Sequence, residues 1–243
     1  MKRYGIRVAL ALTLAVPACG GSASTGSGAD GPGGNATPSA SPSPTPTLPP
    51  VAADKKLVKQ ALVTPADLGK PWVEPKKVNQ AKAAKGELCP GHKNSAARNK
   101  PRADQRRQMT KGSKPGAAIV SVAVRTYALG TEAAWRDAFA AAAKGCKSWT
   151  AAEKTFVTLE VVTPPTVAGA DEVLAHVERI YADKTKKTLY YVRHWVEART
   201  GRVVTAFEHA FVQPKSDPTG ADLTATVALV ETQVAKVRTT FGL

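Results

Sequence analysis

The sequence predicts an α+β domain: an antiparallel β-sheet of about five or six strands with three helices packed on it. Three observations predict it. Between Ala117 and Val212 apolar residues repeatedly alternate with polar or small ones, the period of strands with one buried face. Segments with apolar residues at three-and-four spacing sit at both ends and in the middle of this region, as amphipathic helices do. The turns joining the later strands are short, polar or glycine-bearing, which suits an antiparallel meander.

The 243-residue chain opens with a basic stretch, Lys2, Arg3 and Arg7, and an apolar run over 8–16 that is too short to span a bilayer as a helix. The run closes with Val16-Pro17-Ala18-Cys19 and then Gly20 and Gly21. This pattern resembles the lipobox of bacterial lipoproteins, although proline is unusual at its position. The resemblance implies a signal peptide over 1–18, cleavage before Cys19 and lipidation of its thiol. The chain would then be anchored on the outer face of the cytoplasmic membrane. An ordinary secretory signal peptide with an incidental cysteine is the other reading, and both export the protein. The stretch 19–53 is the tether: Gly/Ser-rich, then Pro/Ser/Thr-rich, without Lys or Arg. Such a composition stays disordered and spans roughly 30–100 Å depending on its stiffness.

The domain occupies 54–243. A helix from Asp54 to about Val63 places Leu57, Ala61 and Leu62 on one side. Thr64-Pro65-Ala66-Asp67 is a helix-start pattern with proline at the first helical position, and Leu68 and Trp72 pack back on the core. The segment 76–114 carries twelve Lys or Arg against Glu87 and Asp104. Within it, Gln105 to Lys111 suits a half-exposed edge strand, where cations discourage strand-to-strand aggregation.

The core is organised around Ala117 to Trp149. Val120, Val122 and Val124 alternate along a strand from Ala117 to Tyr127, followed by a turn at Leu129-Gly130. A helix from Thr131 to Lys144 stacks Trp135, Phe139 and Ala142 on one stripe. Thr131 is placed to cap it, and Gly145 to end it in a left-handed conformation. A strand from Thr155 to Val162 puts Val157, Leu159 and Val161 on one face and stops at Pro164-Pro165. Strands at Glu172–Tyr181, Thr188–Arg199 and Arg202–Val212 follow. Gly201 takes a positive-φ position in the second turn, and two- and three-residue loops, which differ by one residue of register, both remain open. The last helix, Asp222 to Thr240, repeats Leu223, Val227, Val230, Val234 and Val237, with Thr219 and Asp222 placed to cap it.

With Cys19 assigned to lipid, Cys89 and Cys146 remain, and in an exported protein they allow one intramolecular pairing. A disulfide there is worth about 4 kcal/mol in the chain-entropy model. No Cys-x-x-Cys or Cys/His cluster accompanies them, so no metal is expected.

The order of these features is similar to a known family. A "LVTPADLG" stretch ends the first helix, a cysteine follows in Leu88-Cys89-Pro90, and a strand ends in "VRTY". Then come an Ala-rich helix, Cys146 with Trp149 close behind, a late hairpin and a C-terminal amphipathic helix. This resembles the PknH-like extracellular sensor domain of actinobacteria over about Asp54 to Leu243. The resemblance implies an antiparallel sheet with packed helices and extracytoplasmic ligand sensing. It also implies that Cys89 and Cys146 match the family's first disulfide, while the second pair is missing here. No binding residue carries over.

Four groups of residues invite a functional reading. The histidines are His92, His176, His194 and His209. His194 and His209 lie on pairing strands with Glu197 and Glu208 near them in sequence, the raw material of a His/Glu constellation. Arg193 paired with Glu208, and histidines half-buried in a sheet, is the plainer account. In the basic segment, Lys93, Arg98, Lys100, Arg102, Arg106, Arg107, Lys111 and Lys114 form either an anion-binding face or a solvated loop. Nucleic acid is disfavoured, because the chain is exported and the segment has no aromatic residue to stack on bases. Tyr190, Tyr191, Trp195 and Phe207 line a sheet that suits an apolar ligand, while Trp72, Trp135, Trp149 and Trp195 also read as core. No catalytic residue, cofactor or metal is assigned. The leading expectation is non-catalytic recognition of an envelope ligand. The second is docking on anionic lipid or cell-wall polymer through the basic segment, and the third is a small hydrolase using the hairpin histidines.

Overall fold

The structure is a computed structural model that describes residues 47–75, 87–89, 92–93, 100–112, 116–150, 155–217 and 220–243, with backbone alone at 87–88, 92–93, 132–133 and 220–222. Pro46–Leu243 forms one compact unit. The signal peptide, Cys19 and most of the tether lie outside the described residues, as do Arg98, Lys114 and Thr219.

Helix α1 runs over Val51–Ala61, beginning three residues earlier than expected, and buries Asp54, Val58 and Ala61. Helix α2, Pro65–Leu68, starts with the expected proline behind a complete capping box: the Thr64 hydroxyl accepts from the Asp67 amide, and the Asp67 carboxylate accepts from the Thr64 amide. Strands β1 (Glu87–Cys89) and β2 (His92–Lys93) form a small ladder. Next come β3 (Ala103–Lys111), β4 (Ala118–Thr126), helix α3 (Glu132–Gly145), β5 (Ser148–Thr150) and β6 (Phe156–Val161). Strands β7 (Glu172–Tyr181), β8 (Leu189–Thr200), β9 (Val203–Val212) and helix α4 (Gly220–Phe241) complete the chain.

The main sheet has seven antiparallel strands in the order β3-β4-β9-β8-β7-β6-β5. That is one more than the upper figure of the five or six expected. The addition is β5, three residues whose pairing with β6 leaves no periodic signature to read. The described helices number four, because the short α2 is a helix in its own right. As predicted, β3 is the edge, partly covered by a bridge between Val73 and Thr110.

Alternation sorts the sheet into two faces. One carries Val120, Val122, Val124, Val196, Val203 and Phe207, and packs with α1 and α4 into the main core through Val58, Leu62, Val230, Val234 and Val237. Fully burying each such side chain contributes about 1.5–3 kcal/mol. Gln233, fully buried on α4, donates to Ala61 O at 2.7 Å and accepts from Val63 N at 2.9 Å. It thereby satisfies the orphaned end of α1.

The opposite face receives α3. Trp135 packs with Tyr127 and Val204, and Ala142 with Leu159 beside a disulfide between Cys89 and Cys146. Its Cα–Cα distance is 5.7 Å across a separation of 57 residues, the pairing expected. Three local expectations need correction. The Thr131 hydroxyl donates backward to Ala128 O rather than capping α3. Gly145 stays in the helix, and Cys146, at φ −103, ends it, its amide bonding Ala142 O. Val161 is 49% exposed instead of joining Val157 and Leu159 in the core.

The β8–β9 hairpin resolves the open register: Thr200 pairs with Val203, so the loop is the two residues Gly201 and Arg202. Gly201, at φ 57, holds the first loop position, the place a type II′ turn reserves for glycine. Val196 consequently faces Phe207.

Candidate functional site

The face beneath α3 carries a line of buried and part-buried polar side chains built by cross-strand pairing. Register places His176 opposite Trp195, Glu178 opposite Arg193, and Trp195 opposite Glu208. Arg193 lies between two carboxylates, 3.3 Å from Glu178 and 3.4 Å from Glu208; the Arg193–Glu208 pairing was expected from the sequence. His176 Nε2 is 3.6 Å from Glu178. Its ring stacks on Trp195, with centroids 5.7 Å apart and planes 15° apart, and touches Phe139 of α3.

The two glutamates titrate in opposite directions. Burial works against the charge on Glu178, but His176 and Arg193 outweigh it and its carboxyl lies below the usual range. Burial pushes the Glu208 carboxyl up; Arg193 pulls it back in part, and the neighbouring Glu178 adds to the rise. Arg193 thus bridges an ionised and a reluctant carboxylate on the strand face that also carries Trp195.

This row also contains Ser121, opposite Glu208 on β4, which sequence reading passed over because nothing marks which strand it faces. Ser121 and His176 are three strand spacings apart, roughly 14 Å. A nucleophile and its base need hydrogen-bond reach, so Ser121 and His176 do not form such a pair.

A second polar chain runs along the same face. Trp135 donates its indole N–H to Glu197 at 2.6 Å, and Arg125 lies 3.9 Å from Glu197 and 3.5 Å from Asp104. The Tyr127 hydroxyl is buried there without a hydrogen-bond partner among the described residues. Burial raises it to about 12.

The hairpin His/Glu constellation is overturned by strand parity. His194 and His209 lie on paired strands, as expected, and the register sets them opposite each other, but both point at α4, where the Thr226 hydroxyl lies 3.1 Å from His194 Nδ1 and 2.9 Å from His209 Nδ1. Glu197 is an odd number of residues from His194, and Glu208 is adjacent to His209, so both carboxylates point to the opposite face.

The proposed aromatic set is also divided. Phe207 is fully buried on the α4 side, whereas Tyr191 and Trp195 stand on the α3 side. Tyr190, 37% exposed, packs edge-on against Tyr191 at 4.8 Å.

Within the basic segment, two arginines are committed to the fold. Arg102 bonds Asp54 and Pro49 O; Arg107 pairs with Glu74 and donates to Val63 O. Arg106 is exposed but reaches back to Asp104. Lys100 and Lys111 face solvent, with Lys111 Nζ 5.2 Å above the Trp72 ring. The side chains of His92 and Lys93 lie outside the described residues, as do Arg98 and Lys114. Among the described residues, no group of three or more His, Cys, Asp or Glu side chains is arranged to hold a metal ion. No described helix is long and apolar enough to cross a membrane.

No family model matches the chain, and no curated protein matches it. Among solved structures, it is similar to the extracellular domain of PknH from Mycobacterium tuberculosis, with 12% identity and a TM-score of 0.46 over 76% of this chain and 96% of that one. A Mycobacterium smegmatis protein, the Rv0999 ortholog, is 14% identical with a TM-score of 0.35 over 78% of this chain and 97% of that one. The Neisseria meningitidis iron-regulated outer membrane lipoprotein FrpD is 11% identical with a TM-score of 0.29, covering 56% of this chain and 74% of that one.

Proposed function

We propose that this chain is an extracytoplasmic lipoprotein, anchored through Cys19, whose domain recognises an envelope ligand without chemically transforming it. The observation that carries the reading is the buried disulfide between Cys89 and Cys146 in a chain that opens with a signal-like segment and a lipobox-like Val16-Pro17-Ala18-Cys19. Disulfides persist in oxidising compartments, so export and the cystine support each other. The non-catalytic part is supported by side-chain placement. The hairpin histidines are separated from the nearby glutamates by the sheet, and Ser121 is separated from His176 by two intervening strands.

Fractionation of cells producing the full chain tests it. The chain is expected in the membrane fraction, with a mass increase on the Cys19 peptide, and Cys19→Ala is expected to release it from that fraction. A cytoplasmic, unmodified chain with free Cys89 and Cys146 thiols would overturn the reading.

A second reading, docking on anionic lipid or cell-wall polymer through the basic segment, is favoured by the exposure of Lys100, Arg106 and Lys111. Salt-sensitive retention of the chain on anionic vesicles or purified cell wall, reduced by neutralising those three residues, is its test.

A further inference from the structure

We propose that the solvent side of α1 is a lipid-docking surface: Lys55, Lys56 and Lys59 seat the domain on the anionic headgroups of the membrane that holds its own anchor. The proposal rests on the lipoprotein reading above and extends it to a surface outside the basic segment.

Helix α1 turns Asp54, Val58 and Ala61 inward and leaves Val51, Ala52, Lys55, Lys56, Lys59 and Gln60 exposed. Residues four apart share a helix side, so these six form two adjacent rows on one surface. That surface carries three cations and no carboxylate. Carboxylates around it are already engaged: Asp54 is buried beneath Arg102 and Arg202, Glu74 takes Arg107, and Asp67 takes Lys236. Like charges at i and i+4, as at Lys55 and Lys59, weaken a helix. Lys59, in the last turn, complements the helix dipole, but local stability does not explain Lys55 and Lys56, whereas an anionic partner does. Strand β3, against which α1 packs, adds exposed Lys111 as its last residue.

Lipid is favoured over a free polymer by position. The helix is the first element of the compact unit, and Lys55, Lys56 and Lys59 are the first cations that follow Cys19 in the sequence. One lipid signal plus a basic patch is a recognised way to make anchoring stable. Each lysine close to an anionic surface strengthens attachment about five-fold. The exposed apolar content is small, so contact is electrostatic and confined to the Debye length of about 8 Å at physiological salt.

The test uses the full chain on vesicles of phosphatidylcholine alone or with added phosphatidylglycerol, with lysine accessibility read by amine-reactive labelling and peptide mass spectrometry. Lys55, Lys56 and Lys59 are expected to be protected only on phosphatidylglycerol vesicles and released at high salt, with Lys184, Lys186 and Lys187 of the β7–β8 turn as references. The K55Q/K56Q/K59Q variant is expected to keep its melting midpoint and lose about a hundred-fold of the salt-sensitive attachment. Equal labelling on both vesicle types would overturn the proposal, and so would protection by purified cell wall but not by vesicles. Failure to float with phosphatidylcholine alone would instead count against the lipid anchor, leaving the phosphatidylglycerol comparison to judge the lysines.

Discussion

Asp54 and Arg202, 148 residues apart in the chain, form a two-pronged ion pair at 2.5 and 2.9 Å, with Asp54 wholly excluded from solvent. Arg102 and the Thr126 hydroxyl bond the same carboxylate, so one side chain joins α1 to β3, β4 and the β8–β9 turn.

Asp54→Asn keeps the shape but leaves two guanidinium groups facing a neutral amide. It is expected to cost about 3–5 kcal/mol, read as a lower urea midpoint at neutral pH. Burial opposes the Asp54 charge, but the hydrogen bonds from Arg202 and Arg102 win and hold the carboxyl below its ordinary value of 3.8. Its contribution is therefore present above the unfolded-state value and is lost as pH falls through the lower folded one. The Asn variant should show a flatter acid limb than the parent, and identical limbs would contradict this assignment.

Glu178 and Glu208 flank one arginine yet should respond oppositely to neutralisation. The lowered carboxyl of Glu178 supports folding above its unfolded-state value, so Glu178→Gln is expected to lose about 1–3 kcal/mol at pH 7. The raised carboxyl of Glu208 contributes most below its unfolded-state value, and that contribution is lost as pH rises through the folded one. Glu208→Gln should therefore be neutral or stabilising at pH 7. Denaturation at pH 7 and pH 4 separates the two, and equal losses at pH 7 would contradict the opposed directions.

Tyr127→Phe removes a buried hydroxyl that has no hydrogen-bond partner among the described residues. Desolvating such a group costs about 1–3 kcal/mol, so the variant is expected to match or exceed the parent in thermal midpoint. A clear loss of stability would mean that the hydroxyl is engaged.

Reducing the bond between Cys89 and Cys146 should cost about 4 kcal/mol. Because Cys146 directly follows α3, the amides of that helix are expected to gain hydrogen exchange before those of β4 or β9. Uniform acceleration across the sheet would show that the cystine acts on the whole domain rather than on one side.

Most of the strands were legible because a half-buried strand must alternate, and Val120, Val122 and Val124 do so beside small partners. The long helix α4 showed its apolar repeat for the same kind of reason. Parity was legible too: the separation of His194 from Glu197 already assigns them opposite faces, and neighbourhood in sequence misled the His/Glu reading. Other features were hidden because their causes are distant. Gln233 reads as an ordinary polar helix residue until Ala61 and Val63 arrive from the other end of the chain. Asp54 likewise resembles a surface acid at a helix start, and β5 is too short to show a period. The alternating polar residues of β7, β8 and β9 look like a solvent face, and only the placement of α3 shows that part of that face is covered.

The attachment of α1 has a mechanical side. Tension arriving from the N-terminal direction reaches Pro49 and Asp54 first, where Arg102 and Arg202 hold the chain to two separate parts of the sheet. A load entering there is divided between the edge strand and a central hairpin instead of peeling α1 away turn by turn. Under pulling, Asp54→Asn should lower the rupture force of the first unfolding event more than an equally destabilising substitution deep in the β4–β9 core.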